Sequence, residues 1–199
     1  MLLSAIAKKL GRLGASDSRG GDCSRAAVAA ILREGMTDAG AELLFIRRTE
    51  RADDPWSGHI AFPGGRYEDE DVTILATAVR ETHEEVGIDL SSANLVARLP
   101  DILAYTRGKS ASLVVTPFVF ALRGEHAGQH TPNLEVAEAL WIPFASIARG
   151  EGRGTFSWSR EGKVFELPCI RFQPGDRVLW GMTYRMVETM LEALGPDDD

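Results

Sequence analysis

Residues 64–88 read GGRYEDEDVTILATAVRETHEEVGI. A glycine pair (Gly64, Gly65) opens the stretch, four acids follow (Glu68, Asp69, Glu70, Asp71), and three glutamates (Glu81, Glu84, Glu85) gather near its end. Between them, apolar positions recur at helical spacing, which predicts a helix over residues 72–86. Asp69 or Asp71 is placed to cap its start, and Gly87 to stop it. At about 100° per residue, Val72, Leu75, Ala76, Val79 and Val86 fall on one side as a core stripe that also carries His83. Glu81, Glu84 and Glu85 fall on the other side. Ile74, Thr77 and Ala78 lie toward them, so the carboxylate face is expected to be partly covered.

That face is electrostatically costly. Like charges at i, i+3 and i, i+4 repel by about 0.2–0.5 kcal/mol per pair. Two of the three glutamates sit in the last turn, where the helix dipole disfavours anions. Only Arg80 offers a counter-charge on the helix. A divalent cation would remove the conflict, and clustered carboxylate oxygens suit a hard ion, Mg2+ or Mn2+. The glycine turn completes this reading: without side chains, Gly64-Gly65 lets the backbone aim a carbonyl at an ion or an amide at a phosphate.

Outward from this stretch, AAVAAIL (26–32) and AELLFIRR (41–48) read as buried strands, and GHIAFPGG (58–65) as a short strand entering a turn. NLVARL (94–99) and SLVVTPFVFAL (112–122) read as further strands, with Pro117 suggesting an edge or a bulge in the second. EALWIPFASIARG (138–150) is a strand followed by a brief helix. Residues 155–172 suggest a hairpin that walls a pocket or meets a second subunit. VLWGMTYRMVETMLEAL (178–194) reads as an amphipathic helix. Strands and helices are mixed without regular alternation, so the class is α/β (α+β) and a doubly wound parallel sheet is not favoured.

The chain of 199 residues divides in this reading into an N-terminal helix and linker (1–24), one domain (25–195) and an acidic tail (196–199). Its 22 basic against 29 acidic residues give a formal charge of −7, which makes nucleic acid a poor partner. Cys23 and Cys169 are far apart and form no metal-binding pair, which suits a cytoplasmic protein with free thiols. The opening MLLSAIAKKLGRLG is read as an amphipathic helix docked on the domain or on a partner; no run approaches a membrane span. Trp141 and Trp180 are taken as core, while Trp56, Trp158 and Phe165 are either packing residues or platforms for a base.

The stretch 64–88 resembles the Nudix box, Gly-x5-Glu-x7-Arg-Glu-U-x-Glu-Glu-x-Gly-U with U bulky and apolar. Arg80, Glu81, Glu84, Glu85, Gly87 and Ile88 match its second half, with Thr82 at an aliphatic position. The loop before them is one residue longer than the pattern, so Gly65 and Asp71 take the roles of its first Gly and Glu. The longer spacing is similar to the coenzyme A pyrophosphatase branch, as are LLFIR (43–47), Gly58-x3-Phe62-Pro63-Gly64-Gly65, TPFVFAL (116–122), NLEVAEALWIP (133–143) and WGMTYRM (180–186). Asp54 and Trp56-Ser57-Gly58-His59 stand where that branch carries a basic residue and a His-x-Gly-Gln run.

The resemblance implies a Nudix α/β/α sandwich with a mixed sheet. It implies Mg2+- or Mn2+-dependent hydrolysis of a diphosphate in a small nucleotide derivative, coenzyme A or an acyl derivative first. Nucleoside triphosphates, nucleotide sugars, dinucleotide polyphosphates and a non-catalytic nucleotide-binding module are the alternatives. By motif position Glu81 and Glu85 are metal ligands with the Gly65 carbonyl. Glu84 is a further ligand or the base, Arg80 orients the carboxylates, and Glu135, from outside the box, is either a candidate base or a surface-loop acid. Arg47, Phe62, Pro63, Gly64 and Gly65 would meet substrate, Arg47 or its neighbour Arg48 either gripping a phosphate or ending the strand in solvent, and a homodimer is the assembly the resemblance suggests.

Overall fold

The structure, a computed structural model, describes residues 1–13, 23–35, 40–50, 58–90, 94–104, 113–123, 130–160 and 162–195. Trp56, Asp54, the acidic tail and most of the linker lie outside the described residues.

The central strand is β1 (Ser24–Glu34). Its run of small and branched residues is buried on both faces: Ala27, Ala29 and Ile31 point to one side, Ala26, Ala30 and Leu32 to the other. It pairs antiparallel with β2 (Ala41–Arg48) and parallel with β7 (Leu113–Leu122). Beyond β2 lie β3 (Ile60–Ala61) and β8 (Val136–Pro143). Beyond β7 lie β5 (Asn94–Arg98) and β6 (Ile102–Ala104), and β4 (Gly64–Arg66) pairs with the start of β1. This is the mixed sheet expected. A second sheet orders β11 (Arg177–Trp180), β10 (Lys163–Phe172) and β9 (Arg153–Arg160), the last two forming the expected hairpin.

Helices cover both faces of the large sheet. On one, α2 (Ile74–Val86) packs Ala78 and Val86 among Ile31, Leu44, Ile46, Phe118 and Phe120. On the other, α1 (Leu3–Leu10), α3 (Phe144–Ala148) and α4 (Gly181–Leu194) share a core with Phe45, Leu43, Val119 and Phe172. The first helix docks on the domain itself: Leu3, Ile6 and Leu10 are buried, and the Lys9 ammonium donates to the Leu194 carbonyl at the end of α4, 2.8 Å away.

Four sequence expectations need correction. Pro117 is neither at an edge nor in a bulge of its strand but inside β7, opposite Val28. In a strand, a residue's N–H and C=O point to the same side, and the Pro117 carbonyl accepts from Leu99 in the gap between β5 and β6. The missing N–H therefore faces an interruption in the outer strand. The last helix starts at Gly181, because residues 177–180 pair with β10 instead. The helix of the 64–88 stretch starts at Ile74, and its cap is Thr73, whose hydroxyl accepts from the Ala76 amide at 3.1 Å, not Asp69 or Asp71. Gly87 does end it, at φ 69°.

The fourth correction concerns the face that α2 buries. Val72 is 91% exposed and His83 is exposed, whereas Thr77, Ala78, Thr82 and Glu85 are buried. Leu75 and Val79 pack only at the margin. Apolar spacing alone misplaces this face, because the inward line of the helix carries polar groups that have partners. Thr82 donates to the Ala78 carbonyl at 2.7 Å and Thr77 to Asp71 at 2.9 Å.

If α1 belongs to the core, Ile6→Ala should lower the unfolding free energy by about 2–4 kcal/mol in a urea titration. Leu2→Ala, at an exposed position of the same segment, should change it by less than about 0.5 kcal/mol.

Candidate active site

Arg80 holds the site's frame. Its Nε and Nη2 grip the Asp71 carboxylate at 3.0 Å each, a two-point contact. Nη2 also donates to the Arg66 carbonyl on β4 at 3.1 Å, and Nη1 to Glu81 at 3.0 Å and Glu84 at 3.3 Å. One guanidinium thus ties the glycine turn, the acidic loop and the helix together. Asp71 also accepts from the Glu68 amide and the Thr77 hydroxyl. The Arg80 hydrogen bonds, aided by these, hold its carboxyl down to about 2 against the opposing effect of burial. The longer loop thus uses Asp71 to meet Arg80.

The two glycines are required by close approach. A Cβ on Gly64, whose φ is 151°, would lie 2.2 Å from the Ala27 carbonyl oxygen. A Cβ on Gly65 would lie 2.3 Å from the Glu81 carboxylate. The Gly64 amide donates to Glu85 at 2.8 Å, and the Pro63 carbonyl accepts from Ala29 at 2.8 Å, which pins the turn to β1. Phe62 is buried and stacks on Phe45 with ring centres 5.1 Å apart, so it supports the turn from the core side.

Glu85 is buried on the inner side of α2, with Arg48 3.7 Å from its other oxygen. Burial pushes its carboxyl up to about 7; the Gly64 amide and Arg48 oppose this, and the charges of Glu81 and Glu135 add to it. Burial likewise raises Glu81, against the pull of Arg80 and with the push of Glu84 and Glu68. Glu84 turns outward, its side chain 53% exposed. The crowding on this helix therefore concerns Glu81 and Glu85 foremost.

The segment before β8 completes the surroundings. The amides of Thr131 and Asn133 donate to the Val86 and Glu85 carbonyls, capping the end of α2. That anchorage brings the exposed Glu135 within electrostatic range of Glu85. Of the two arginines ending β2, Arg47 faces Glu50 at 3.5 Å and Asp176 at 3.8 Å, whereas Arg48 is the one beside Glu85. Next to Gly64, Gly65 and Arg66 opens a cavity of about 330 Å3 with mainly apolar walls, among them Val28, Phe62, Leu113, Val115, Met182 and Met186. Arg48, His59 and Trp180 also line it, while Arg47 does not. Trp180, expected in the core, stands half-buried in this wall with the His59 ring 4.7 Å away. His59 and Trp180 lie in stretches compared with the coenzyme A branch but carried no role there; the tertiary fold brings them and Arg48 to one wall.

Among the described residues no three His, Cys, Asp or Glu side chains converge as a ready-made cage for a metal. Mg2+ does not need one: it keeps several waters and takes one or two carboxylates. Glu81 and Glu85 lie one turn apart, both desolvated, both with raised proton affinity, and Glu81 rests against a glycine whose side chain would displace it. Two desolvated carboxylates beside bare backbone fit such an ion.

A sequence profile described as the NUDIX domain matches residues 24–158. The chain is 32% identical over 166 residues to "Nudix hydrolase 22, chloroplastic" of Arabidopsis thaliana, covering 82% of this chain and 53% of the relative. It is 30% identical over 175 residues to "Mitochondrial coenzyme A diphosphatase NUDT8" of Mus musculus, covering 87% and 80%. The chain thus spans about half the length of the plant relative and most of the mouse one. In fold it is similar to a crystal structure of a MutT/nudix family protein from Enterococcus faecalis, with a TM-score of 0.54 at 15% identity over 98% of this chain and 75% of that one. The chain belongs to the Nudix hydrolase family, and its α/β/α sandwich with a mixed sheet is the family's fold. Among the described residues no helix is long and apolar enough to cross a membrane.

The raised Glu85 has a consequence for stability. An acid that binds its proton more tightly when folded stabilises the fold below its ordinary value of 4.5, and that contribution is lost as pH rises through about 7. Metal-free protein should therefore lose melting temperature between roughly pH 5 and pH 8 more steeply than the Glu85→Gln variant does, and Mg2+ should restore it at the upper end. Scanning calorimetry across that range checks this.

Proposed function

We propose that the chain is a divalent-metal-dependent hydrolase of a diphosphate bond in a nucleotide derivative, with coenzyme A or its acyl thioesters as first substrate. The observation that carries it is the Glu81–Glu85 pair against the Gly64-Gly65 turn, whose glycines also line a cavity of ligand size. The similarity to the mouse coenzyme A diphosphatase over most of both chains supports the substrate choice.

Glu81 and Glu85 would hold Mg2+ or Mn2+, with the Gly65 carbonyl as a third oxygen. The ion would supply charge neutralisation for the diphosphate and make a water acidic enough to attack. The remaining work falls to the chain. Arg80, fixed by Asp71 and the Arg66 carbonyl, holds Glu81 in place. Arg48 lines the cavity mouth beside Glu85 and presents positive charge toward an entering phosphate. Glu84 and Glu135, both exposed, are the two carboxylates that could take the proton of the attacking water. Cys23 and Cys169 form no disulfide, in keeping with a reducing compartment such as the cytoplasm.

Glu81→Gln and Glu85→Gln should each lower kcat by about 100-fold or more with the circular-dichroism spectrum unchanged. Excess chelator should abolish turnover and Mg2+ or Mn2+ should restore it. A panel of nucleotide diphosphates scored by phosphate release decides the substrate. Near-normal kcat in both variants, or turnover that persists under chelation, contradicts the reading.

A further inference from the structure

We propose that the aromatic face of the small sheet is a specificity-determining shelf that seats the acyl end of an acylated substrate. This rests on the coenzyme A reading and adds residues that neither the motif nor the relatives assign. Side chains alternate along a strand, and paired residues share a face. The register sets Trp158 opposite Phe165, Phe156 opposite Leu167, and Cys169 opposite Trp180. All six therefore stand on one face. Trp180 lies 5.2 Å from Phe156 and 5.4 Å from Trp158, and Trp158 lies 6.0 Å from Phe165, measured between ring centres.

Trp180 is also a wall of the cavity beside Gly65. One apolar surface therefore runs from the glycine turn, through the cavity and across Trp180, to the hairpin. It does not end in the core. Phe165 is 43% exposed, and residues 162–166 are exposed throughout. A projecting hairpin that keeps an aromatic row facing outward, continuous with a ligand cavity, has the form of an extended binding surface.

The apolar chemistry of that surface and its continuity with the cavity select its occupant. The arm between the diphosphate and the thioester of coenzyme A amounts to about four peptide-length units, roughly 13–14 Å extended. An arm leaving the glycine turn runs along the cavity to Trp180, the residue that the cavity shares with the aromatic row, and leads the acyl end toward Trp158 and Phe165. A free thiol gains nothing there, whereas an acyl chain removes apolar surface from water, enough for about tenfold in affinity when a few methylenes are covered. The shelf residues are thus binding residues for the acyl end and stand apart from the carboxylates.

The test compares coenzyme A and octanoyl-coenzyme A as substrates of the wild-type chain and of Phe165→Ser, an exposed change that leaves the core untouched. The wild type should favour the octanoyl ester by about tenfold in kcat/KM, through KM. Phe165→Ser should reduce that preference to about twofold while changing coenzyme A hydrolysis by less than about twofold. Equal kcat/KM for the two substrates in the wild type, or an equal loss on both in the variant, overturns the shelf and leaves the coenzyme A reading standing. If neither compound is hydrolysed while another nucleotide diphosphate is, the substrate reading itself fails and the shelf falls with it. Sedimentation of both proteins closes the other route: if Phe165→Ser turns a dimer into a monomer, the row is a subunit interface and the proposal is wrong.

Discussion

The Arg80 guanidinium is the contact on which the rest of the site depends. It is the point where β4, the acidic loop and α2 meet, through Arg66, Asp71, Glu81 and Glu84. A planar fork with five donors can serve so many acceptors at fixed angles; a lysine ammonium cannot. The arginine therefore does two jobs. Asp71, held ionised by it, locks the loop against the helix. Glu81, held more weakly and half-buried, is left with capacity to bind something else.

A second constraint comes from the backbone. Gly64 and Gly65 have no room for side chains because β1 crowds one and Glu81 the other. The turn can be that close only because Phe62 is anchored on Phe45 and the Pro63 carbonyl on Ala29. What results is a desolvated pair of carboxylates on one side of the turn and an apolar cavity opening on the other. The fold thus stores an electrostatic debit in Glu85, and a cation would relieve it at the spot where an anionic substrate needs neutralising. Sandwiching the sheet between α2 and the α1–α4 layer keeps water from relieving it instead.

Much of this was legible in the residues. The strand runs at 26–32 and 41–48, the stop at Gly87 and the hairpin follow from local pattern and turn chemistry, while the mixed sheet and Asp71 in the place of the box's first glutamate came with the Nudix resemblance. The buried face of α2 did not follow. Apolar periodicity cannot see that Thr77, Thr82 and Glu85 are admitted inward because Asp71, the Ala78 carbonyl and the Gly64 amide await them. Arg48 rather than Arg47 was equally hidden, since a strand's two faces are told apart only by what packs on each. Trp180 read as core because a tryptophan in an amphipathic run looks like packing; strand β11 turns it into the cavity wall instead.

The most direct measurement is an anomalous difference map from a crystal soaked in Mn2+ at about pH 7.5. The account expects a single strong peak within about 2.2 Å of oxygens from both Glu81 and Glu85, with Arg80 still bound to Asp71. A map with no peak between those two carboxylates, with Glu81 still closed on Arg80 and Glu85 still on the Gly64 amide, would contradict it.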